Sequence, residues 1–340
     1  MGTTPGNRAV IFAFGKHPAW DDHVQEIGIL NESIALAKTI LYVNGIGRII
    51  DSGDWEKAEP EKIATGFDHA FVWFRKNEFL IGRFWPSTDG KGRSRYPMLL
   101  GCHLKNVTLD FAFKQVVPKL DTLEKKCRST TDRNEVLAAV SQTQSEVIQL
   151  LSCSVDRAKL ETALPKLAPG TSILPSAPLI EQAEDGWARL FYQIQSQLIH
   201  YANWSFNPKC FTDGSLSAQV LRLPLLDSSF EKSVAPWLHF LQRQIHPSLP
   251  VLLVAAQQMA WLDAIIGQPG MRELLNLKLS LKGFPYPHTI PYSIKDSFRE
   301  IVRATMEGLA AGKPATETCI FGKPGFIKRK WLALGRAQDA

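Results

Sequence analysis

Three apolar runs rich in aromatic and β-branched residues follow one another within the first third of the chain, and they restrict its fold more than any other feature. The first two form DHAFVWFRKNEFLIGRFWPS, from Asp68 to Ser87, and are joined at Lys76-Asn77. The third run, RYPMLLGCHL, begins at Arg95. Runs of this composition separated by short polar turns predict strands. The sequence therefore predicts a β-hairpin and a third strand of the same antiparallel sheet.

The residues that precede this hairpin predict a further strand and a helix. AVIFAFGK, near the N-terminus, is a short apolar run and predicts a buried strand. NESIALAKTILYVNGIG offers Asn31 and Ser33 as helix caps and carries apolar residues at helical spacing. We expect this helix to end at Gly45 and Gly47. The first 108 residues are therefore predicted to form an α/β domain with a mixed or antiparallel sheet and flanking helices.

The rest of the chain divides at LAPGTSILPSAP, residues 167–178, which is rich in Pro, Gly and Ser and predicts a linker. Residues 109–167 predict a helical segment, in which Thr131 or Asp132 caps the longest helix. After the linker, QVLRLPLL and VLLVAAQQ predict strands, and SSFEKSVAPWLHFLQRQ predicts a helix between them. Residues 168–340 are therefore predicted to form a C-terminal helical and α/β unit that ends in a basic tail.

The net charge of the chain indicates which classes of partner it could bind. Its 340 residues carry a net charge of +6, and the tail from Lys323 to Arg336 is basic without an acidic residue. A basic balance suits an acidic partner protein, a nucleic acid or an anionic membrane surface, and it also serves solubility alone.

Cysteine usage and hydropathy predict a cytoplasmic protein. The five cysteines lie far apart and form no C-x-x-C pair, which argues against a disulfide framework and against a thiolate zinc site. The N-terminus lacks the pattern of a signal peptide. Apolar runs such as VLLVAA are too short to span a bilayer. We therefore expect no membrane insertion.

The first candidate site is the charged stretch KHPAWDDHVQE, which contains His17, Asp21, Asp22 and His23. Histidines and carboxylates this close could hold a divalent metal or pair a base with an orienting acid. A metal site of this kind needs a regular helical or strand spacing, such as His at i and i+4 of a helix, whereas this stretch is predicted to be a turn that contains Pro18. Asp21 or Asp22 could equally cap a short helix that begins at Val24, or the stretch could anchor a partner.

The second candidate site is GRFWPSTDGKGRSRYP, a loop with several glycines and cations. A glycine-rich turn after a strand can direct backbone N–H groups at a phosphate. This loop, however, matches neither common nucleotide motif and leads into a strand rather than a helix. A structural hairpin loop or a protein-docking loop explains it better. In either case we expect Asp89 to pair with Arg93 or Arg95.

The remaining chemistry-bearing residues predict core packing. We expect at least one of Trp73 and Trp85 to lie in the core, since both stand within predicted strands. There is no G-x-S-x-G elbow, and Cys102 and His103 would point to opposite faces of a strand. No catalytic residue, no metal site and no cofactor is predicted.

The two candidate stretches resemble two motifs of the TagF/ImpM family, accessory proteins of bacterial type VI secretion. The first family pattern, F-G-K-x-P-x-x-G-D-F, is matched at Phe14, Gly15, Lys16, Pro18 and Asp22. The second, P-S-x-D-x-x-G-R-x-[FY]-P-L, is matched at Pro86, Ser87, Asp89, Gly92, Arg93, Tyr96, Pro97 and the apolar Met98. Asp21 stands where the family usually has Gly, and His23 stands where an aromatic residue is usual. One additional residue separates Arg93 from Tyr96.

The resemblance covers about the first 105 residues and implies a function without catalysis. TagF-like proteins are regarded as cytoplasmic regulators that hold back secretion assembly by binding a forkhead-associated scaffold protein. Their N-terminal fold is longin-like, a sheet flanked by helices. The resemblance therefore implies a regulatory protein of a type VI secretion system that binds a protein of the machinery. The motif residues, together with the loop cations Lys91 and Arg95, are therefore the predicted partner-binding residues: Gly15, Lys16, Pro18, Asp22, Pro86, Ser87, Asp89, Lys91, Gly92, Arg93 and Arg95.

Two other classes of function stay open at the level of sequence. One is a metal- or phosphate-dependent hydrolase that uses His17, Asp21, Asp22 and His23 together with Lys91 and Arg93. The other is a module that binds an anion or a nucleic acid through the basic loop and tail, although we do not expect a nucleic-acid partner.

Overall fold

The structure is a computed structural model that describes residues 9–24, 27–58, 66–75, 77–153, 186–198, 201, 217–226, 229–246, 248–257, 259–278, 295–300 and 302–303. The protein is mixed α/β, as predicted, and all its paired strands are antiparallel within the described part. The chain forms two compact units. The first comprises Met1–Leu164, Pro250–Met259 and Gln268–Ser280, and the second comprises Pro165–Leu249, Ala260–Gly267 and Leu281–Ala340.

The strands confirm most of the sequence prediction. In chain order they are β1 (Ala9–Gly15), β2 (His69–Arg75), β3 (Glu78–Pro86), β4 (Pro97–Lys105), β5 (Gln219–Pro224), β6 (Val251–Ala256) and β7 (Trp261–Ile266). The predicted hairpin is β2–β3, and the predicted third strand is β4, which pairs with β3 and with β1. Trp73 and Trp85 are both buried, which confirms their prediction as core residues.

The first unit is built on β1, β4, β3, β2 and β6, side by side in that order. The position of β6 corrects the sequence analysis, which grouped this strand with the C-terminal unit. It pairs with β2 instead, so that Leu252 lies opposite Trp73. Without β6, the backbone groups on one edge of the largely apolar strand β2 would lack a partner strand in the first unit, which is unfavourable.

The helix after β1 is longer than predicted. It runs as α1 (Glu32–Ala37), a π-helical segment (Lys38–Gly47) and α2 (Arg48–Ser52). The Asn31 side chain caps it, as predicted, by accepting a hydrogen bond from Ile34 N.

The prediction that the helix ends at Gly45 and Gly47 is wrong. Both glycines lie within the helix, where they allow neighbouring groups to pack closely, and neither ends it. A Cβ on Gly45 would lie 2.2 Å from Leu274 Cδ1, and one on Gly47 would lie 3.0 Å from Tyr42 O. The helix ends at Gly53 instead, whose φ of 67° is the left-handed conformation typical of a helix C-terminus.

Among the described residues, one helical run, Glu32–Ser52, is long and apolar enough to cross a membrane by length and composition. Of its apolar window, 56% is buried inside the structure. The core helix of a soluble protein passes the same test.

Residues 109–153 are helical, as predicted. They form α3 (Leu109–Phe111), a short π-helical segment (Ala112–Val116), α4 (Val117–Ser129) and α5 (Arg133–Cys153). The Asp132 side chain accepts a hydrogen bond from Asn134 N at 2.7 Å, which confirms it as the cap of α5. Both long helices pack on the sheet of the first unit.

The second unit contains α6 (Gly186–Leu198), β5, α7 (Phe230–Gln244) and β7, and β5 pairs with β7. Strand β7 was not predicted from the sequence. The buried ion pair of Arg222 and Asp263 joins the two strands. A further helix, α8 (Met271–Leu274), belongs to the first unit and leads into a 3-10 turn (Leu275–Leu277). The predicted linker and the basic tail lie outside the described residues.

Candidate functional site

The two motif stretches lie against each other at one end of the first unit's sheet. β1 leads into the first stretch and β3 into the second, and β1 and β4 are neighbours in the sheet. Lys16 N donates to Pro97 O at 3.2 Å, and Val24 N donates to Gly15 O at 2.7 Å. Gly15 has a φ of 119°, and a Cβ there would lie 2.3 Å from Pro97 O. The glycine of the first motif is therefore required by the close approach of the second.

Asp89 is the centre of the loop between β3 and β4. Its Oδ1 accepts hydrogen bonds from Lys91 N and Arg93 N, both at 3.0 Å. Its Oδ2 accepts from Lys16 Nζ at 2.6 Å and from Arg93 Nε at 2.7 Å. Burial opposes the charged form, but the hydrogen bonds from Lys16 and Arg93 outweigh it and hold the pKa of Asp89 well below its usual range. The predicted pairing of Asp89 with Arg93 is thus confirmed.

The backbone N–H groups at the tip of this loop, from Asp89 to Arg93, are not free to bind a phosphate. Gly92 N donates to Asp89 O, Asp89 N donates to Arg93 O, and Gly90 N donates to Trp20 O. Together with Lys91 N and Arg93 N, which donate to the carboxylate, all five N–H groups from Asp89 to Arg93 are used inside the protein. The carboxylate of Asp89 thus occupies the position that a phosphate would take in a phosphate-binding loop.

Asp22 is the exposed acid of the site. Its Oδ1 lies 2.9 Å from Lys16 Nζ, 3.1 Å from His23 Nδ1 and 3.3 Å from Arg93 Nη2. The hydrogen bond from Lys16 lowers the pKa of Asp22. The prediction that Asp21 or Asp22 caps a helix starting at Val24 is wrong, because Val24 N bonds to Gly15 O and Lys16 bridges to His23 in antiparallel fashion.

The four charged residues of the two motifs therefore form one ion network. Lys16 and Asp89, 73 positions apart in the chain, are almost completely buried. Asp22 and Arg93 are exposed at the rim. Arg93 Nη2 also donates to Asp21 O at 2.9 Å, which fastens one loop to the other. The buried Lys16 is hydrogen-bonded to the exposed Asp22, and the buried Asp89 is hydrogen-bonded to the exposed Arg93, so the buried pair positions the exposed pair.

An aromatic cluster adjoins the ion network. The ring of His23 lies 5.1 Å from that of Tyr96 and 5.9 Å from that of Tyr42, both edge-on. Tyr42 Oη donates to Pro97 O, and Tyr96 Oη donates to Asp51. Burial and the hydrogen bond to Asp51 raise the pKa of Tyr96 to about 12. His23 thus packs its ring against both tyrosines.

His17 does not join Asp21 and Asp22 in a common site. Its Nε2 lies 2.8 Å from Cys127 O, and its Nδ1 accepts a hydrogen bond from Ala19 N at 3.1 Å. Burial lowers its pKa. Since backbone groups use both ring nitrogens, His17 anchors the first motif to α4 and is not free to bind a metal. Within the described part of the chain, no group of three or more His, Cys, Asp or Glu side chains is placed to hold a metal ion.

The other predicted site residues lie around this network. Arg95 Nη2 lies 3.1 Å from Glu56 Oε1, and Lys91 is exposed at the loop tip. Gly92 supplies the left-handed turn with a φ of 77°. Pro18, Pro86 and Ser87 are at least partly exposed and flank the loops.

Three members of the site were not predicted: Tyr42, Asp51 and Glu56. They come from the helix Glu32–Ser52 and the turn after it, and no local motif marks them. Tyr42 could have been noticed in the sequence, since it is the one aromatic residue between Glu32 and Ser52.

Comparisons with known proteins do not identify a family. No family model and no curated protein matches the chain. Among solved structures, the chain is similar to the crystal structure of PA0076 from Pseudomonas aeruginosa PAO1, with 18% sequence identity and a TM-score of 0.31. That match covers 40% of this chain and 62% of PA0076, which is less than two thirds of its length.

Proposed function

We propose that the protein is a non-enzymatic regulatory protein of a type VI secretion system and that it acts by binding another protein through the surface formed by its two motif loops. The partner implied by the resemblance is a forkhead-associated scaffold protein. The observation that carries the proposal is the single ion network formed by Lys16, Asp22, Asp89 and Arg93, which are the charged residues of the two motifs.

The form of this surface supports binding more than catalysis. The internal hydrogen bonds of the loop hold its backbone and the Arg93 side chain in place, so a partner need not order them on binding. His17 is held by the backbone at both nitrogens, and the backbone amides from Asp89 to Arg93 are all occupied. A fixed pattern of exposed charges and rings suits a protein surface, where charge steers the encounter and Arg adds direction.

The experiment measures binding of the full chain to the forkhead-associated protein of the same host, by calorimetry. Lys91→Glu should weaken binding about tenfold, because it reverses an exposed charge at the loop tip. Its melting temperature should stay close to that of the native protein, since surface substitutions change stability little.

The matched control is Lys125→Glu, the same charge reversal at an exposed position of α4. It should leave the affinity nearly unchanged. Absence of binding by the native chain would contradict the forkhead-associated partner. Equal losses in the Lys91 and Lys125 variants would show that the loop surface is not the docking surface.

A further inference from the structure

Three donor groups converge on one oxygen atom in the centre of the ion network. Lys16 Nζ, His23 Nδ1 and Arg93 Nη2 lie between 2.9 and 3.3 Å from Asp22 Oδ1. Lys16 is buried, with only 3% of its surface exposed, whereas the side chain of Asp22 is 68% exposed. The exposed carboxylate of Asp22 thus accepts a hydrogen bond from the buried ammonium group of Lys16.

The two carboxylates of the network are held very differently. Asp89 accepts four hydrogen bonds and its side chain has no exposed surface. Among the described residues, the Asp22 side chain is bound through Oδ1 alone, and it projects into solvent. Asp89 is therefore a permanent part of the fold, whereas Asp22 can rotate outward without opening the protein.

The charges define what could replace Asp22. Lys16 and Arg93 are balanced by Asp89 and Asp22, so that the departure of Asp22 leaves one net positive charge and three donors directed at one point. A carboxylate restores the balance. A phosphate monoester carries a charge of about −1.5 to −2 and would be in excess beside Asp89 and Asp21.

We propose that Lys16, Arg93 and His23 form a recognition site for a carboxylate on an acidic segment of a partner protein, and that Asp22 fills this site as an exchangeable internal ligand. The proposal rests on the proposed function only for the kind of partner, a protein of the secretion machinery. The chemistry of the carboxylate site does not depend on it. Exchange costs little because one carboxylate leaves as another enters. The exposed Lys91 at the loop tip would attract the incoming acidic segment.

The test uses the full chain and two single variants, Asp22→Ala and Asp21→Ala. The two positions are adjacent and exposed, and the substitutions change the net charge equally. Only Asp22 places its carboxylate on the three donors. The probe is a capped oligoglutamate peptide titrated by calorimetry at low ionic strength, with oligoglutamine as the blank.

Asp22→Ala should bind oligoglutamate about tenfold or more tighter than the native chain, because it removes the internal competitor. Asp21→Ala should show only the small gain that follows from lost negative charge. Acetate should raise the melting temperature of Asp22→Ala and leave that of Asp21→Ala nearly unchanged.

Two double variants test the donors. Asp22→Ala with Lys16→Met should lose the gain in oligoglutamate affinity. If that variant fails to fold, Asp22→Ala with His23→Phe retains a ring at position 23, removes one donor and should lose most of the gain.

Equal binding by the Asp22 and Asp21 variants would overturn the proposal, as would tighter binding of inorganic phosphate than of acetate by Asp22→Ala. These titrations need no partner protein. A gain without binding to the forkhead-associated protein would contradict the proposed function alone, and partner binding without a gain would contradict the carboxylate site alone.

Discussion

His69 shows how one buried side chain can make the stability of the protein depend on pH. It lies in β2, where its Nε2 donates to Leu277 O at 2.8 Å and its Nδ1 accepts from Asp68 N at 3.1 Å. The ring also stacks on Phe84 at 4.8 Å. A second proton would face the Asp68 N–H group. Burial lowers the pKa of His69 to about 4.

The first prediction concerns this residue. As the pH falls below about 6.5, the unfolded chain takes up a proton at His69 and the folded protein does not until about pH 4. The free energy of unfolding should therefore fall by about 3 kcal/mol across this window through His69. His17, whose pKa is lowered by burial, contributes in the same direction. Urea unfolding of native protein and His69→Gln between pH 7 and 4 measures the difference.

His69→Gln should flatten the pH dependence, since Gln does not titrate and can still donate to Leu277 O. An unchanged slope in the variant would mean that His69 takes up its proton equally in the folded and unfolded states.

At the scale of elements, Gln144 of α5 completes the hydrogen bonding of β1. Its Oε1 accepts from Ile11 N at 2.6 Å, and its Nε2 donates to Ala9 O at 3.0 Å. The side-chain amide thus takes the place of a neighbouring strand. Further along, Ala13 N donates to Ile27 O. Unpaired strand backbone favours association with other chains, and these hydrogen bonds leave less of the β1 backbone unpaired.

The second prediction follows from this amide. Gln144→Leu should lower the free energy of unfolding by about 1–3 kcal/mol, because it leaves two partly buried backbone groups of β1 without partners. It should also increase self-association. The control is Gln142→Leu, two positions earlier in α5, where the amide bonds only to Glu146 among the described residues. Urea unfolding measures the stability of both variants, and light scattering measures their self-association. Equal stability and equal self-association of the two variants would contradict the role assigned to Gln144.

Local elements could be predicted from the sequence, and their partners could not. The runs that form β1 to β4 are short, apolar and bounded by polar turns, and the cap at Asp132 is a local signal. The pairing of Asp89 with Arg93 was also predictable, since both lie in one loop. The contact of Lys16 with Asp89 spans 73 positions and depends on β1 and β4 being neighbours, which no local pattern encodes.

At the scale of the whole molecule, the first unit is assembled from separate parts of the sequence. Its sheet is completed by β6, and the 3-10 turn after α8 accepts hydrogen bonds from His69 and from Trp55 Nε1, the latter at 2.9 Å. From the sequence, β6 was predicted to belong to the C-terminal unit because it follows β5 and α7 in the chain. Strands that are close in the chain usually pair with each other. β6 instead pairs with the apolar strand β2, which lies far from it in the chain.

The third prediction is that the fragment 1–164 does not fold stably. It lacks β6 and the turn at Leu275–Leu277, so β2 loses a partner strand, and Trp55 and His69 lose their backbone acceptors. Circular dichroism and urea unfolding of the fragment beside the full chain would test this. A fragment that unfolds cooperatively at the urea concentration of the full chain would show that the first unit is complete without the later segments.

Because β6 (Val251–Ala256) pairs with β2, the sheet of the first unit can be completed only late in synthesis. β2 leaves the ribosome early, but its second neighbour is translated some 180 residues later, by the register in which Val251 faces Phe74. At about 5–20 residues per second, the nascent chain would wait on the order of ten to thirty seconds for that neighbour. During this interval one side of β2 is open to chaperones and to other nascent chains, and the motif loops are already made before the sheet beneath them is finished.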